Sequence, residues 1–206
     1  MKKFEYTPPE QPRELILKLG QKITDRIGHT VTAEDPEYYG LEALVTDEMA
    51  EVALKMKVRK PMTLAQIVKA TGKEEKALEE LLQEMSNIGL LEYNWENPKH
   101  EKQYVLPMYV PGSAEFFNMK LDQIKEHPEV ASFFERMAFL PLQKVTPMVP
   151  PGGAGIGMHV IPVEKAIETE NESVSVEHIS HWLDKYDGKY AAGPCSCRYS
   201  RGVLGE

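Results

Sequence analysis

Residues 62–93 read MTLAQIVKATGKEEKALEELLQEMSNIGLLEY and predict two helices followed by the start of a strand. Thr63 is a favourable N-cap for a short helix, which ends before Gly72. A longer helix is predicted over residues 74–88, and Gly89 ends it. The apolar side chains of this longer helix recur at helical spacing and are expected to face inward: Leu78, Leu81, Leu82, Met85 and Ile88.

The flanking residues extend this pattern on both sides. Residues 41–56 carry apolar side chains at the spacing of one helix, and Pro61 separates this helix from the next. Residues 90–95 predict a strand, Asn97-Pro98 a turn and residues 103–106 a returning strand. The predicted order is therefore three helices followed by a hairpin.

This order of elements and the amino-acid sequence of residues 62–92 resemble the winged-helix domains of bacterial regulators. The resemblance covers about residues 41–108. In such regulators the third helix binds in the major groove of DNA. Here residues 73–84 contain five glutamates and two lysines, a net charge of −3. Proteins that bind DNA gain most of their affinity from basic side chains that neutralise phosphates. We therefore expect a packing or docking scaffold in preference to DNA binding.

Further helices are predicted around this module. A helix over residues 12–27 ends at Gly28, and residues 29–40 form a polar connector. Ser113 is predicted to cap a helix that also carries Leu121 and Ile124, and Pro128 to start another.

The remaining residues predict a Pro/Gly loop and a small unit of strands and a helix. The loop covers residues 146–157, a strand follows over 158–163, and Ser175 caps a helix with Leu183 and Tyr186 inward. The Gly152–Gly157 run has the wrong spacing for a dinucleotide fingerprint, so a connector, or close approach to a cofactor, is favoured. Residues 189–192 predict a short second strand.

These elements together predict an α+β, mostly helical chain. We expect a winged helix-turn-helix module with additional helices and a small C-terminal strand-helix-strand unit. The expected domains are an N-terminal helix and connector (1–40), the winged-helix domain (41–110), a helical extension with the Pro/Gly loop (111–157) and a cysteine-containing iron–sulfur unit (158–206).

Composition narrows the class of protein. The 206 residues carry 24 basic and 32 acidic groups, a net charge of −8, which disfavours nucleic acid as a partner. No apolar run approaches the roughly 20 residues that span a bilayer, and the N-terminus lacks the apolar segment of a signal peptide. Two cysteines one residue apart exclude a disulfide framework. The cysteine content is most consistent with a location in the reducing cytoplasm.

The two cysteines lie in the run GPCSCR, residues 193–198, and indicate half of a metal or cluster site. Zinc and cubane iron–sulfur centres normally take four protein ligands, and this run supplies Cys195 and Cys197. An alternative zinc site would add His178 and His181, which share a helix face. A further alternative is that the two thiols are buried or incidental and bind no metal. We expect the chain to be the front part of a larger protein, and residues 193–206 to be mobile or held by contacts other than metal.

Residues 191–198, AAGPCSCR, are similar to a stretch of anaerobic bacterial iron–sulfur proteins. Those proteins have an N-terminal winged-helix-like region, a Cys-x-Cys-Arg segment, further cysteines and ferredoxin-type 4Fe–4S motifs. In some, a flavin and pyridine-nucleotide oxidoreductase similar to the glutamate synthase small subunit follows. The resemblance implies that Cys195 and Cys197 bind a 4Fe–4S cluster and that Arg198 lies beside it.

The same resemblance implies FAD and NAD(P) as further cofactors and the C-terminal domains of the same polypeptide as partners. The expected function is docking within an iron–sulfur oxidoreductase that transfers electrons. We expect no catalytic residue within these 206 residues. Whether the chain forms a homo-oligomer is left open. The competing hypothesis is a metal- or redox-responsive winged-helix transcription regulator, which should carry a basic third helix.

Overall fold

The computed structural model describes residues 6–134, 183–189 and 193–205. The chain forms two compact units, Met1–Gln143 with Pro194–Glu206, and Lys144–Gly193. The described part of the first unit is mostly helical with a small antiparallel sheet, in agreement with the predicted class. Its helices are α1 (Glu14–Ile23), α2 (Pro36–Leu44), α3 (Asp47–Lys55), α4 (Leu64–Thr71), α5 (Glu75–Ile88), α6 (Ser113–Phe117), α7 (Leu121–Glu126), α8 (Pro128–Phe134) and α9 (Ser196–Leu204). Its strands are β1 (Met62–Thr63), β2 (Glu92–Asn94) and β3 (Gln103–Val105).

The helices predicted from residues 62–93 are confirmed, together with the residues that end them. The Thr63 hydroxyl accepts the Gln66 N–H at 3.4 Å, and the Gln66 side chain accepts the Thr63 N–H at 2.9 Å. Gly72 and Gly89 end α4 and α5 in the left-handed conformation, with φ of 72° and 96°. A Cβ at Gly89 would also lie 2.7 Å from the Cβ of Phe116, so only glycine fits there.

The predicted hairpin is also confirmed, and the structure adds a third strand. β2 and β3 pair antiparallel with Tyr93 opposite Tyr104. β1 pairs antiparallel along the other edge of β3, with Met62 also opposite Tyr104, so the strand order is β1-β3-β2. The two residues of β1 are too short a run for the period-2 pattern of a strand, which explains why the sequence did not predict them.

The single helix predicted over residues 41–56 is wrong, because the chain breaks between α2 and α3. Arg13 stabilises the break: its guanidinium donates to the carbonyl oxygens of Glu42 at 3.2 Å and Val45 at 2.9 Å. Thr46 then caps α3 by accepting the Met49 N–H at 3.2 Å. α2 begins at Pro36, so the predicted connector over 29–40 is partly helical.

The helix predicted over residues 12–27 ends early, at Ile23, and Ile27 is fully exposed. The reason is a buried carboxylate in α2. Glu37 has no exposed surface, and its Oε1 accepts from the Thr24 hydroxyl at 2.6 Å and from Arg26 Nε at 2.8 Å. Arg26 Nη2 bonds both Glu37 Oε2 at 2.5 Å and Asp35 Oδ1 at 2.8 Å. These bonds turn the chain after α1.

The helix predicted to begin at Ser113 is two helices, α6 and α7, and its N-cap is Gly112. The Gly112 N–H donates to Glu115 Oε2 at 2.8 Å, whereas the Ser113 side chain is buried. Asn118 follows α6, and its side-chain amide donates to the carbonyl oxygens of Ala114 and Val130. The predicted start of the next helix at Pro128 is confirmed.

The second unit is described only over residues 183–189 and at Gly193. Leu183 and Tyr186 were expected to face inward, but 38% and 45% of their surfaces are exposed. Lys185 Nζ lies 5.3 Å from the Tyr186 ring centroid, within the range of a cation–π contact. The predicted loop at 146–157, the strand at 158–163 and the helix start at Ser175 lie outside the described residues, as does most of the short strand at 189–192.

Apolar side chains of the helices and of β3 form one core in the first unit. Leu82 is fully buried there, as expected, whereas Leu81 is only partly buried. Tyr109 is also fully buried, and its hydroxyl donates to the Pro36 carbonyl oxygen at 2.9 Å. Within the described ranges, no helix is both long and apolar enough to cross a bilayer.

Leu82→Ala should lower the free energy of unfolding by about 2–5 kcal/mol, because it leaves a cavity in the core. Chemical denaturation followed by circular dichroism measures this loss. Glu80→Ala is the matched control on the exposed side of α5 and should change stability by less than about 0.5 kcal/mol. Equal small losses in both variants would mean that α5 does not pack as described.

A second prediction concerns the acid stability that Asp35 contributes. Burial raises the pKa of Asp35, but hydrogen bonds from Thr32, Arg26 and His29 outweigh it and lower the pKa from 3.8 to about 2. A lowered pKa in the folded state stabilises the fold above pH 3.8, and this stabilisation disappears as the pH falls toward 2.

Asp35→Asn should therefore cost about 1–2 kcal/mol at neutral pH and flatten the dependence of stability on pH between about 4 and 2. Urea denaturation at a series of pH values checks this. Asp25→Asn, on the exposed side of the same loop, should leave the profile of the wild type unchanged. A profile that is equally steep in both variants would contradict the assignment.

Candidate functional site

The two cysteines lie at the start of α9. Cys195 is the residue before the helix, in an extended conformation, and Cys197 is in the first turn. Both side chains are exposed and neither forms a disulfide. The Cys195 carbonyl oxygen accepts the Tyr199 N–H, the first backbone bond of the helix, and the Cys197 carbonyl oxygen accepts the Ser200 hydroxyl, both at 3.0 Å. The thiols themselves remain available.

Apolar packing holds α9 in place. Ser200 is fully buried, and Tyr199, Val203 and Leu204 pack against the core of the first unit. α9 contacts α8 most extensively and also α6 and α7. Residues 196–204 are therefore held in place by packing against the core of the first unit.

Cationic side chains lie next to the cysteines in the sequence and on the neighbouring surface. Arg198 follows Cys197 directly and is exposed. Together with Lys125 and the ring of Tyr199 it lines a surface groove of about 580 Å³ between α7, α8 and α9. The start of a helix also stabilises negative charge, because its free N–H groups point toward that end. Cysteine binds metals as the thiolate, so this is a favourable place for thiolate ligands.

The structure does not test the predicted ligand sets. No group of three His, Cys, Asp or Glu side chains capable of holding a metal ion occurs among the residues that the structure describes. His178 and His181 lie outside those residues, as does the Gly152–Gly157 run, so the zinc alternative stays a prediction. The donor chemistry of Cys195 and Cys197 fits two of the four ligands of a cluster or zinc centre.

A second surface lies on α5 and the hairpin. The glutamates at positions 75, 79, 80 and 84 of α5 are exposed. Tyr93 and Trp95 are half-exposed on β2 and just after it, and their rings meet edge to face with centroids 5.3 Å apart. We did not predict this aromatic pair as a functional feature. Its signal in the sequence was the two-residue spacing, which puts both rings on one face of a strand.

Comparison of the chain with models of known protein families, with curated proteins and with solved structures found no match. Its function is therefore inferred from its own residues and from the resemblance described above.

Proposed function

We propose that this chain is the N-terminal docking and ligand-presenting part of an iron–sulfur protein that transfers electrons. The observation that carries the proposal is the pair Cys195 and Cys197, two exposed free thiols at the start of a helix that packs on the core. The resemblance of residues 191–198 to anaerobic iron–sulfur proteins extends it to an oxidoreductase that uses FAD and NAD(P). The C-terminal domains of the same polypeptide would be the partners.

The scaffold in this proposal is a winged helix built from α3, α4, α5 and the three strands. The order of these elements supports it, since β1 lies between α3 and α4 and pairs with the second strand of the hairpin. The acidic outer face of α5 supports docking over DNA binding, because carboxylates repel phosphates.

The residues beside the thiols would have separate roles in a cluster site. Cys195 and Cys197 would bind iron as thiolates, and Arg198 would offset part of their negative charge. A cluster held there would supply one-electron transfer. Because Tyr199, Val203 and Leu204 already fix α9, the two thiols would need little reorganisation before they bind.

The test is the iron and sulfide content of the anaerobically purified polypeptide that the whole gene encodes. We expect about four iron and four sulfide for the cluster that these cysteines ligate. Cys195→Ser and Cys197→Ser should each lower both contents, because a ligand is lost. Ser196→Ala, between the two cysteines, is the matched control and should keep the wild-type content. The 206-residue chain alone, with two thiols, should be metal-poor.

Two results would contradict this assignment. Equal iron in the wild type and both serine variants would remove the cysteines from the site. Stoichiometric zinc in the 206-residue chain, lost on changing His178 or His181, would favour the zinc alternative instead.

A further expectation is that the chain does not bind duplex DNA appreciably, because the exposed face of α5 is acidic. Fluorescence anisotropy with mixed-sequence DNA at physiological salt should give a Kd weaker than about 1 μM, the tight end of the range for non-specific binding. Tighter binding would overturn the scaffold function and favour the metal- or redox-responsive regulator.

A further inference from the structure

The outward face of α5 is more acidic than its sequence suggests. Glu79, Glu80 and Glu84 are exposed, and within the described ranges no basic side chain forms an ion pair with them. Lys73 precedes the helix but bonds Glu48 on α3, with its Nζ 2.6 Å from the carboxylate oxygen. One of the two lysines counted with these glutamates is therefore directed to another element.

A lysine connects this acidic face to the aromatic pair of the hairpin. Lys102 Nζ lies 4.7 Å from the centroid of the Tyr93 ring and 6.0 Å from that of Trp95. The same nitrogen donates to Gln83 Oε1 on α5 at 3.1 Å. Lys102 thus holds the exposed rings beside the helix through one hydrogen bond and two cation–π contacts.

Two shallow hollows follow one another along this surface. The first, of about 470 Å³, is lined by three glutamates and one lysine of α5, Glu79, Glu80, Glu84 and Lys76, with the amides of Gln83 and Asn87. The second, of about 430 Å³, has an apolar part formed by Tyr93, Leu91, Phe116 and Met119, and Glu92 and Lys120 also line it. Asn87 lines both hollows. Carboxylates and apolar surface therefore lie end to end on one continuous face.

We propose that this face, the acid–aromatic surface of α5 and the hairpin, docks a basic amphipathic segment of a partner protein. Lysine or arginine side chains of the partner would pair with Glu79, Glu80 and Glu84. An apolar side chain next to them would contact Tyr93 and Trp95, and exposed aromatic residues are typical anchors of protein interfaces. The charge of the face selects this occupant, since complementary charge gives an interface its specificity.

Other occupants fit the same surface less well. Nucleic acid would place phosphates against carboxylates. A second copy of this chain in a two-fold contact would bring the two acidic faces together, because the same patch meets itself in such an interface. The proposal does not depend on the iron–sulfur function, since the cysteines lie on α9 and the docking face lies on α5 and the hairpin.

The probe is a synthetic amphipathic peptide with lysines on one helix face and leucines on the other, titrated into the isotope-labelled chain at low salt. We expect saturable shifts of the amide signals of residues 76–87 and 92–102. The affinity should fall as salt shortens the Debye length from about 30 Å at 0.01 M to about 8 Å at 0.15 M. A peptide with glutamate in place of every lysine should not bind.

Two triple variants distinguish the effect of charge on this face from the effect of the overall charge of the chain. The triple variant Glu79→Gln, Glu80→Gln and Glu84→Gln should bind the peptide about tenfold more weakly, the effect of removing three exposed ion pairs. The control triple Glu10→Gln, Glu34→Gln and Glu126→Gln removes three exposed carboxylates elsewhere and should keep the wild-type affinity. Trp95→Ala should weaken binding by about tenfold or more.

Three outcomes would overturn the proposal. They are the absence of saturable binding, an equal loss in both triple variants, and shifts that map to other residues. Self-association that Trp95→Ala abolishes would assign the surface to a second copy instead. Unchanged circular dichroism of the variants shows that they fold. Since iron content is measured separately, failure here leaves the cluster assignment intact.

Discussion

The buried carboxylate of Glu37 is the constraint on which the rest of the described fold depends. A carboxylate without exposed surface needs a cation and hydrogen bonds, because burying it unpaired costs several kcal/mol. Arg26 supplies both through two nitrogens, and the Thr24 hydroxyl adds a third bond. This ends α1 and sets the position of α2. α2 packs on α8, and α8 packs on α9, which carries the thiols.

The same scaffold presents two different chemical surfaces. The start of α9 offers two thiols beside Arg198, and the face of α5 offers carboxylates beside Tyr93 and Trp95. The two surfaces lie on different elements, because the thiols belong to the start of α9 and the carboxylates to α5. This arrangement suits a module that holds a redox centre with one surface and contacts a partner with another, which is the function we propose.

The sequence predicted the elements whose ends are encoded locally. The N-cap at Thr63 and the glycines that end α4 and α5 follow from single residues, and the structure confirms them. The break between α2 and α3 was missed because it depends on Arg13, which is distant in sequence and bonds the carbonyl oxygens there. A helix period alone does not show such a contact.

The candidate site shows the same limit. The Cys-x-Cys spacing identified Cys195 and Cys197 as the chemically notable residues, but not that a helix begins between them at Ser196. The position of that helix depends on packing against α6, α7 and α8. Likewise, the acidity of the third helix was evident from composition, whereas the bond from Lys73 to Glu48 that leaves its face more acidic was not.

Amide hydrogen exchange of the metal-free chain tests most directly whether the thiols are held in advance of any metal. We predict that the amides of residues 199–204 exchange slowly, at rates close to those of α8, because the two helices pack together. Exchange of these amides at the rate of an unstructured peptide, while α8 stays protected, would contradict it.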